Sequence, residues 1–191
     1  MDNIKVAIRV RPLIVRENGM VNYWNVQDDT IKSTEATGKL SSPYTFDRIF
    51  DELMTTYDIF EEVCKPIISD ALQGFNGTIF AYGQSSSGKT FTMSGSHMQK
   101  GIITLSVEEI FAIIESSHHR EFLIRVAYME IYNEKVTDLL SSEEKGIKIQ
   151  EDQEKNIQVT GLKEELVSSS SDVLTIIQKG DNRRHMAETK A

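Results

Sequence analysis

An α/β fold, with a mixed β-sheet flanked by helices, is what the sequence predicts, from three observations. The apolar run Thr78-Ile79-Phe80-Ala81-Tyr82 is continuous rather than alternating, as in a strand buried on both faces of a sheet. It leads straight into Gly83-Gln84-Ser85-Ser86-Ser87-Gly88-Lys89-Thr90, a G-x-x-x-x-G-K-[ST] string, and then into Phe91-Thr92-Met93, which can continue as helix. Strand-like and helix-like segments alternate along the rest of the chain, and such an order calls for a sheet covered by helices. Strand, glycine loop and helix in that sequence are the setting in which this string becomes a phosphate site. A Ser/Gly-rich surface turn would lack the strand.

The chemistry asks for these residue types. Gly83 and Gly88 let the backbone bend and approach phosphate with no Cβ in the way. Loop N–H groups and the start of the following helix form a concave anion site. Lys89 adds a mobile point charge for the β- and γ-phosphates, and the Thr90 hydroxyl is placed to ligate Mg²⁺.

In chain order, Ile4 to Val10 alternates well enough for a first strand, which Arg11-Pro12 ends. Pieces around Tyr23–Val26 and Thr30–Lys32 predict a small hairpin lobe. Residues 38–43 are loop by composition, and Tyr44-Thr45-Phe46 a brief strand. From Asp58 to Leu72 the apolar residues keep helical spacing with Pro66 inside, so a kink is expected near Cys64–Lys65. Gly74 suits the cap of that helix, and Asn76-Gly77 the turn into the apolar run. Residues 94–101 interrupt the helix that follows the glycine loop. Ile103 to Ile114 resume it, with Ser106 to Glu109 as a possible capping box. Phe122 to Tyr132 reads as one long strand, and Val136 to Leu140 as a short helix. Ile147–Ile149 and Ile157–Val159 read as strands paired across Glu151–Asn156. A serine run, Ser168–Ser171, opens a last helix near 172–179.

The chain has 191 residues, 39% of them hydrophobic, enough for one core, with one domain as the default. No apolar run reaches membrane-spanning length and the first residues are no signal peptide, so no membrane partner is expected. Cys64 is the single cysteine, which rules out an intrachain disulfide and fits a reducing, intracellular compartment. A net charge of -8 gives no overall attraction to nucleic acid or anionic lipid. His118-His119 reads as a solvated turn, and Glu143-Glu144 and Glu164-Glu165 as solvated acidic pairs. Cys64 on an apolar helical face reads as a small core residue.

With these residues in view the chain resembles a kinesin motor domain from end to end. Arg9-Val10-Arg11-Pro12 is similar to the family's R-x-R-P, and Phe46-Asp47-Arg48-Ile49-Phe50 to its F-D-x-V-F. Gly74 to Gln84, running into Ser87 to Met93, resembles the signature across the phosphate loop. Tyr128 to Glu134, Asp138-Leu139-Leu140 and Asn182-Arg183-Arg184-His185 with Ala187 and Thr189 follow in the family's order. The stretches Cys64–Ile68 and Gly161–Glu165 look most like its centromere-associated branch or the plant relatives.

The resemblance implies a phosphate-loop NTPase fold, binding of ATP or ADP with Mg²⁺, and a parent protein that moves on microtubules in the cytoplasm. It implies that Arg9, Arg11 and Pro12 line the adenine pocket, with Phe60 where the family has a stacking tyrosine. Gly83 to Thr90 would hold phosphates and metal, and no catalytic residue is implied within the chain. Thr104-Leu105 stand where the family commonly has Pro-Arg, and Gln150 where it often has Arg. The family's next motifs, N-x-x-S-S-R-S-H and D-x-x-G-S-E, do not occur in this sequence. Residues 1–191 are therefore expected to be the nucleotide-binding, N-terminal part of a motor domain, incomplete at the C-terminal end of the fold. Alone, they are expected to bind microtubules weakly or not at all. A catalytically silent nucleotide-binding or interaction module is the competing reading. Another phosphate-loop NTPase leaves Arg9–Pro12 and Gly74–Gln84 unexplained, and no N-K-x-D guanine motif is present.

Overall fold

The computed structural model describes residues 4–33, 42–142, 146–155 and 157–184. The sequence-predicted features at 38–41, Glu143-Glu144 and 185–191 lie outside them. Tertiary contacts divide the chain, expected as one domain, into two compact units, Met1–Ser106 and Val107–Ala191.

In the first unit, β1 (Ala7–Arg9) is shorter than the predicted strand and pairs in parallel with β5 (Arg48–Phe50). The predicted hairpin is β2 (Trp24–Gln27) against β3 (Thr30–Ser33), extended by β4 (Tyr44–Thr45). Ile49 and Phe50 are buried, with Ile59, Phe60, Cys64 and Ile68 from the helical segment that follows. That segment starts as α1 (Thr56–Ile59), capped by a reciprocal pair: the Thr55 hydroxyl accepts from the Asp58 N–H, and Asp58 accepts from the Thr55 N–H. The cap holds the Asp58 carboxyl below its ordinary range.

The predicted kink takes a specific form. Phe60–Cys64 is a π-helical stretch, and α2 (Lys65–Ala71) restarts with Pro66 in its first turn. A proline costs little there, because a first-turn N–H has no intrahelical partner to lose. Cys64 is a buried core residue as read, and burial pushes its thiol up to about 11. Past α2, a Cβ on Gly77 would lie 2.6 Å from Ile67 Cγ2, so the chain passes α2 where only glycine fits. α3 (Lys89–Ser94) follows the glycine loop, and Gly95 and Gly101 approach too closely for any side chain.

α4 (Ile102–Ser116) begins four residues before the predicted capping box. Ser106 therefore sits inside the helix, and its buried hydroxyl has no hydrogen-bond partner among the described residues. His118 and His119 lie in an exposed turn after it.

In the second unit the predicted long strand is broken. β6 (Ile124–Val126) pairs with β11 (Glu165–Val167), whereas β7 (Met129–Tyr132) pairs with β8 (Lys135–Asp138). The predicted helix at 136–140 is thus the return strand of a hairpin. Asn133 and Glu134, both at positive φ (47° and 61°), make the two-residue turn that matches strand twist. The second predicted hairpin is present as β9 (Lys148–Glu151) and β10 (Ile157–Thr160), with Gln150 opposite Gln158. The last helix, α5 (Ser170–Asp181), is longer than predicted and is capped by the Ser169 hydroxyl, which accepts from the Asp172 N–H. Phe111, Val167 and Val173 form the core here, with Ile124, Val126 and Ile177 packed against it. Glu164 and Glu165 make solvated ion pairs with Arg125 and Lys163.

One prediction fails in the first unit. Residues 78–82 pair with no strand among the described residues, and Phe80 and Tyr82 are 79% and 94% exposed. A continuous apolar run records a demand for burial on both faces. It does not supply the neighbouring strands that meet it.

Candidate nucleotide site

The loop from Gly83 to Thr90 is shaped by backbone that few residues tolerate. Ser86 and Gly88 both lie in the left-handed region, at φ 63° and 99°. Alternating conformations of this kind turn successive N–H groups into an anion-binding concavity. A Cβ on Gly83 would fall 2.5 Å from the Ser87 hydroxyl and fill the turn. Gly88 caps α3, and its carbonyl accepts from the Thr92 N–H at 2.9 Å. α3 has only 6 residues, so its dipole is small and the loop's own N–H groups carry most of the attraction.

Lys89 is half-buried, and its ammonium donates to the carbonyls of Gly83 (2.7 Å) and Gln84 (2.8 Å). No carboxylate among the described residues pairs with it. A cation is thus held over the loop by neutral acceptors alone. Gln84, Ser85 and Ser86 are exposed, and Ser87 is half-buried. The exposed Thr90 hydroxyl has no partner among the described residues, so it is free to ligate a metal. A loop turned by left-handed backbone at Ser86 and Gly88, with an ammonium and a hydroxyl that meet no carboxylate among the described residues, fits a Mg·nucleotide.

The residues expected around a base are arranged differently. Arg11 makes a two-pronged pair with Glu17 (2.7 Å on each prong), closing the loop after β1. That pair and the Ile14 N–H hold the Glu17 carboxyl down at about 2. Pro12 is exposed beside it. Phe60 is only 2% exposed, so its ring belongs to the core and offers no open face. The neighbouring Tyr57 ring, 6.4 Å away between centroids, is exposed. Arg9 is engaged elsewhere, with Thr56 and Thr92. The structure gathers the phosphate residues closely and does not gather Arg9, Arg11, Pro12 and Phe60 into an open stack. Glu17 and Thr56 carry no sequence signal, and Thr92 reads only as part of the helix and signature after the loop, because each matters through a contact that spacing does not encode.

A family model described as the kinesin motor domain matches residues 9–191. The chain belongs to the kinesin motor family. This kinesin chain is 47% identical, over 99% of its length, to kinesin-like protein KIN-7N of Arabidopsis thaliana, covering 23% of that protein. It is 44% identical, over 98% of its length, to centromere-associated protein E of Homo sapiens, covering 7%. The chain thus spans less than a quarter of these relatives. Among solved structures, one titled for a fast kinesin, its ATPase mechanism and its interactions with microtubules superposes with a TM-score of 0.85 at 38% identity. That match covers 94% of this chain and 52% of the other. The kinesin fold expected from the sequence is the fold found, and the similarity includes both branches that the residues suggested. None of the described helices is long and apolar enough to cross a membrane.

Proposed function

We propose that residues 83–90 hold the phosphates of an adenine nucleotide, and that the protein carrying this motor sequence couples ATP hydrolysis to movement along microtubules. The observation that carries the reading is the Lys89 ammonium, poised over the loop with two carbonyls and no anion as partners among the described residues. On binding, Lys89 would exchange those carbonyls for β- and γ-phosphate oxygens, a charge-assisted contact about twice as strong as a neutral one. The loop N–H groups would hold the remaining oxygens. Thr90 would hold Mg²⁺, which supplies neutralisation of phosphate charge when bound. For the base end the family resemblance implies Arg11 and Pro12, and Arg11 would first have to leave Glu17. The setting for such a motor is the cytoplasm, on microtubules, with no nucleic acid or membrane as partner.

Stacking discriminates bases weakly, so adenine should be preferred only modestly. In competition titrations ADP should displace a fluorescent nucleotide at least as well as GDP. A guanine preference above about tenfold, or about 1.4 kcal/mol, contradicts the assignment.

We also propose that residues 1–191 alone bind nucleotide without running the motor cycle. Phosphoryl transfer needs a group that orients water and one that senses the γ-phosphate, and the two motifs that do this in the family do not occur here. The exposed rings of Phe80 and Tyr82 belong to a run with no pairing strand among the described residues, which favours this reading. A net charge of -8 would also repel acidic tubulin. Steady-state turnover should stay at background when microtubules are added. Stimulation above about tenfold, equal to about 1.4 kcal/mol of barrier, would reverse the proposal.

A further inference from the structure

Arg9 is the last residue of β1, and the parallel ladder to β5 continues past it, with the Val10 N–H donating to Phe50 at 2.8 Å. One nitrogen of its guanidinium, Nη1, donates to two threonine hydroxyls, Thr56 at 2.9 Å and Thr92 at 2.9 Å. The guanidinium carbon stands 5.1 Å from the centroid of the Phe91 ring, which covers one face. No carboxylate among the described residues pairs with it. Thr56 is fully buried at the start of α1, whereas Thr92 and Phe91 lie in α3. Burial lowers the affinity of this guanidinium for its proton, though the charge is retained.

From these contacts we propose that Arg9 is a positioning residue for the phosphate loop, locking α3 against β1 and α1. The inference rests on the nucleotide reading above. α3 is 6 residues long and has little stability of its own, so its direction must be set from outside. Thr92 lies one helical turn beyond Lys89, about 4.5 Å along the axis. A helix held at that turn holds the lysine and the loop before it. Displacement of about 1 Å is enough to cost binding groups their alignment. Two hydroxyls on one nitrogen and a ring on one face tie the guanidinium to this strut.

The role separates from base stacking by asking which ligand loses affinity. The 191-residue chain and its Arg9→Lys, Thr92→Val and Thr92→Ser variants are titrated with fluorescent ADP, then competed with ADP and with inorganic tripolyphosphate, which has no base. Arg9→Lys and Thr92→Val should weaken both competitors by about tenfold, the scale of one hydrogen bond to a charged group. The ratio between the two ligands should stay constant, and Thr92→Ser, which keeps the acceptor, should recover most of the affinity. Loss of ADP binding with tripolyphosphate unchanged would assign Arg9 to the base and overturn the proposal. A lowered thermal midpoint with unchanged affinities of the folded protein would overturn it too, since that describes a tie without positioning. If Arg9→Lys does not fold, Thr92→Val decides with the guanidinium in place. A parent that binds neither ligand sinks the nucleotide reading itself; a parent that binds both while Thr92→Val matches it sinks only this proposal.

Discussion

Lys89→Ala is expected to weaken Mg·ADP binding about a hundredfold. The substitution removes a cation that is held over the loop and pairs with no carboxylate among the described residues. Hydrogen bonds to charged groups are worth about 1.5–3 kcal/mol each, and about 2.7 kcal/mol is a factor of a hundred. Folding should change little. The ammonium's partners among the described residues are the carbonyls of exposed Gln84 and half-buried Gly83, which water can satisfy. Titration of the variant with fluorescent ADP checks this, and an affinity within about threefold of the parent would mean that backbone N–H groups alone hold the phosphates.

Gly180→Val should give the largest loss of stability in the second unit. In α5 a Cβ at this position would run into the Tyr128 ring and lie 3.4 Å from Leu139 Cβ. The ring cannot easily retreat, because the Tyr128 hydroxyl donates to Asp181 at 2.7 Å. Burial and that carboxylate together push the phenol up to about 12. Replacing glycine inside a helix would ordinarily gain up to about 1 kcal/mol in propensity. Overpacking typically costs 1–3 kcal/mol, and losing the tyrosine's hydrogen bond about 1 kcal/mol more, so the clash should win by about 2 kcal/mol. Urea denaturation measures the difference. In the Gly180→Val background, Tyr128→Ala should recover part of the loss by opening the space. A Gly180→Val protein as stable as the parent would show that the ring moves freely.

What was legible in the sequence was what local chemistry decides. The glycine spacing of 83–90, the serine run that opens α5, the hairpin across 151–156 and the disturbance near Pro66 each follow from a few adjacent residues. Partnership was not legible. The run 78–82 declared itself apolar without naming a neighbour. Phe122 to Tyr132 looked like one strand, although its halves serve different partners. Asn133-Glu134 hid a tight turn because glutamate is an unusual residue at positive φ. At the site, the residues expected to hold phosphate are contiguous in sequence, so a local pattern suffices to nominate them. The base residues are scattered, and the roles implied for them met two competing demands, the core claiming Phe60 and Glu17 claiming Arg11. Arg9 meets Thr92 across 83 positions, a contact no spacing rule encodes.

The central claim, that residues 83–90 form a working nucleotide cradle, is tested most directly by titrating the 191-residue chain with fluorescent ADP in excess Mg²⁺. The account predicts one saturable site, displaced by unlabelled ADP and ATP and lost in Lys89→Ala. A folded chain showing no saturable binding, or binding that unlabelled ADP does not displace, would contradict it.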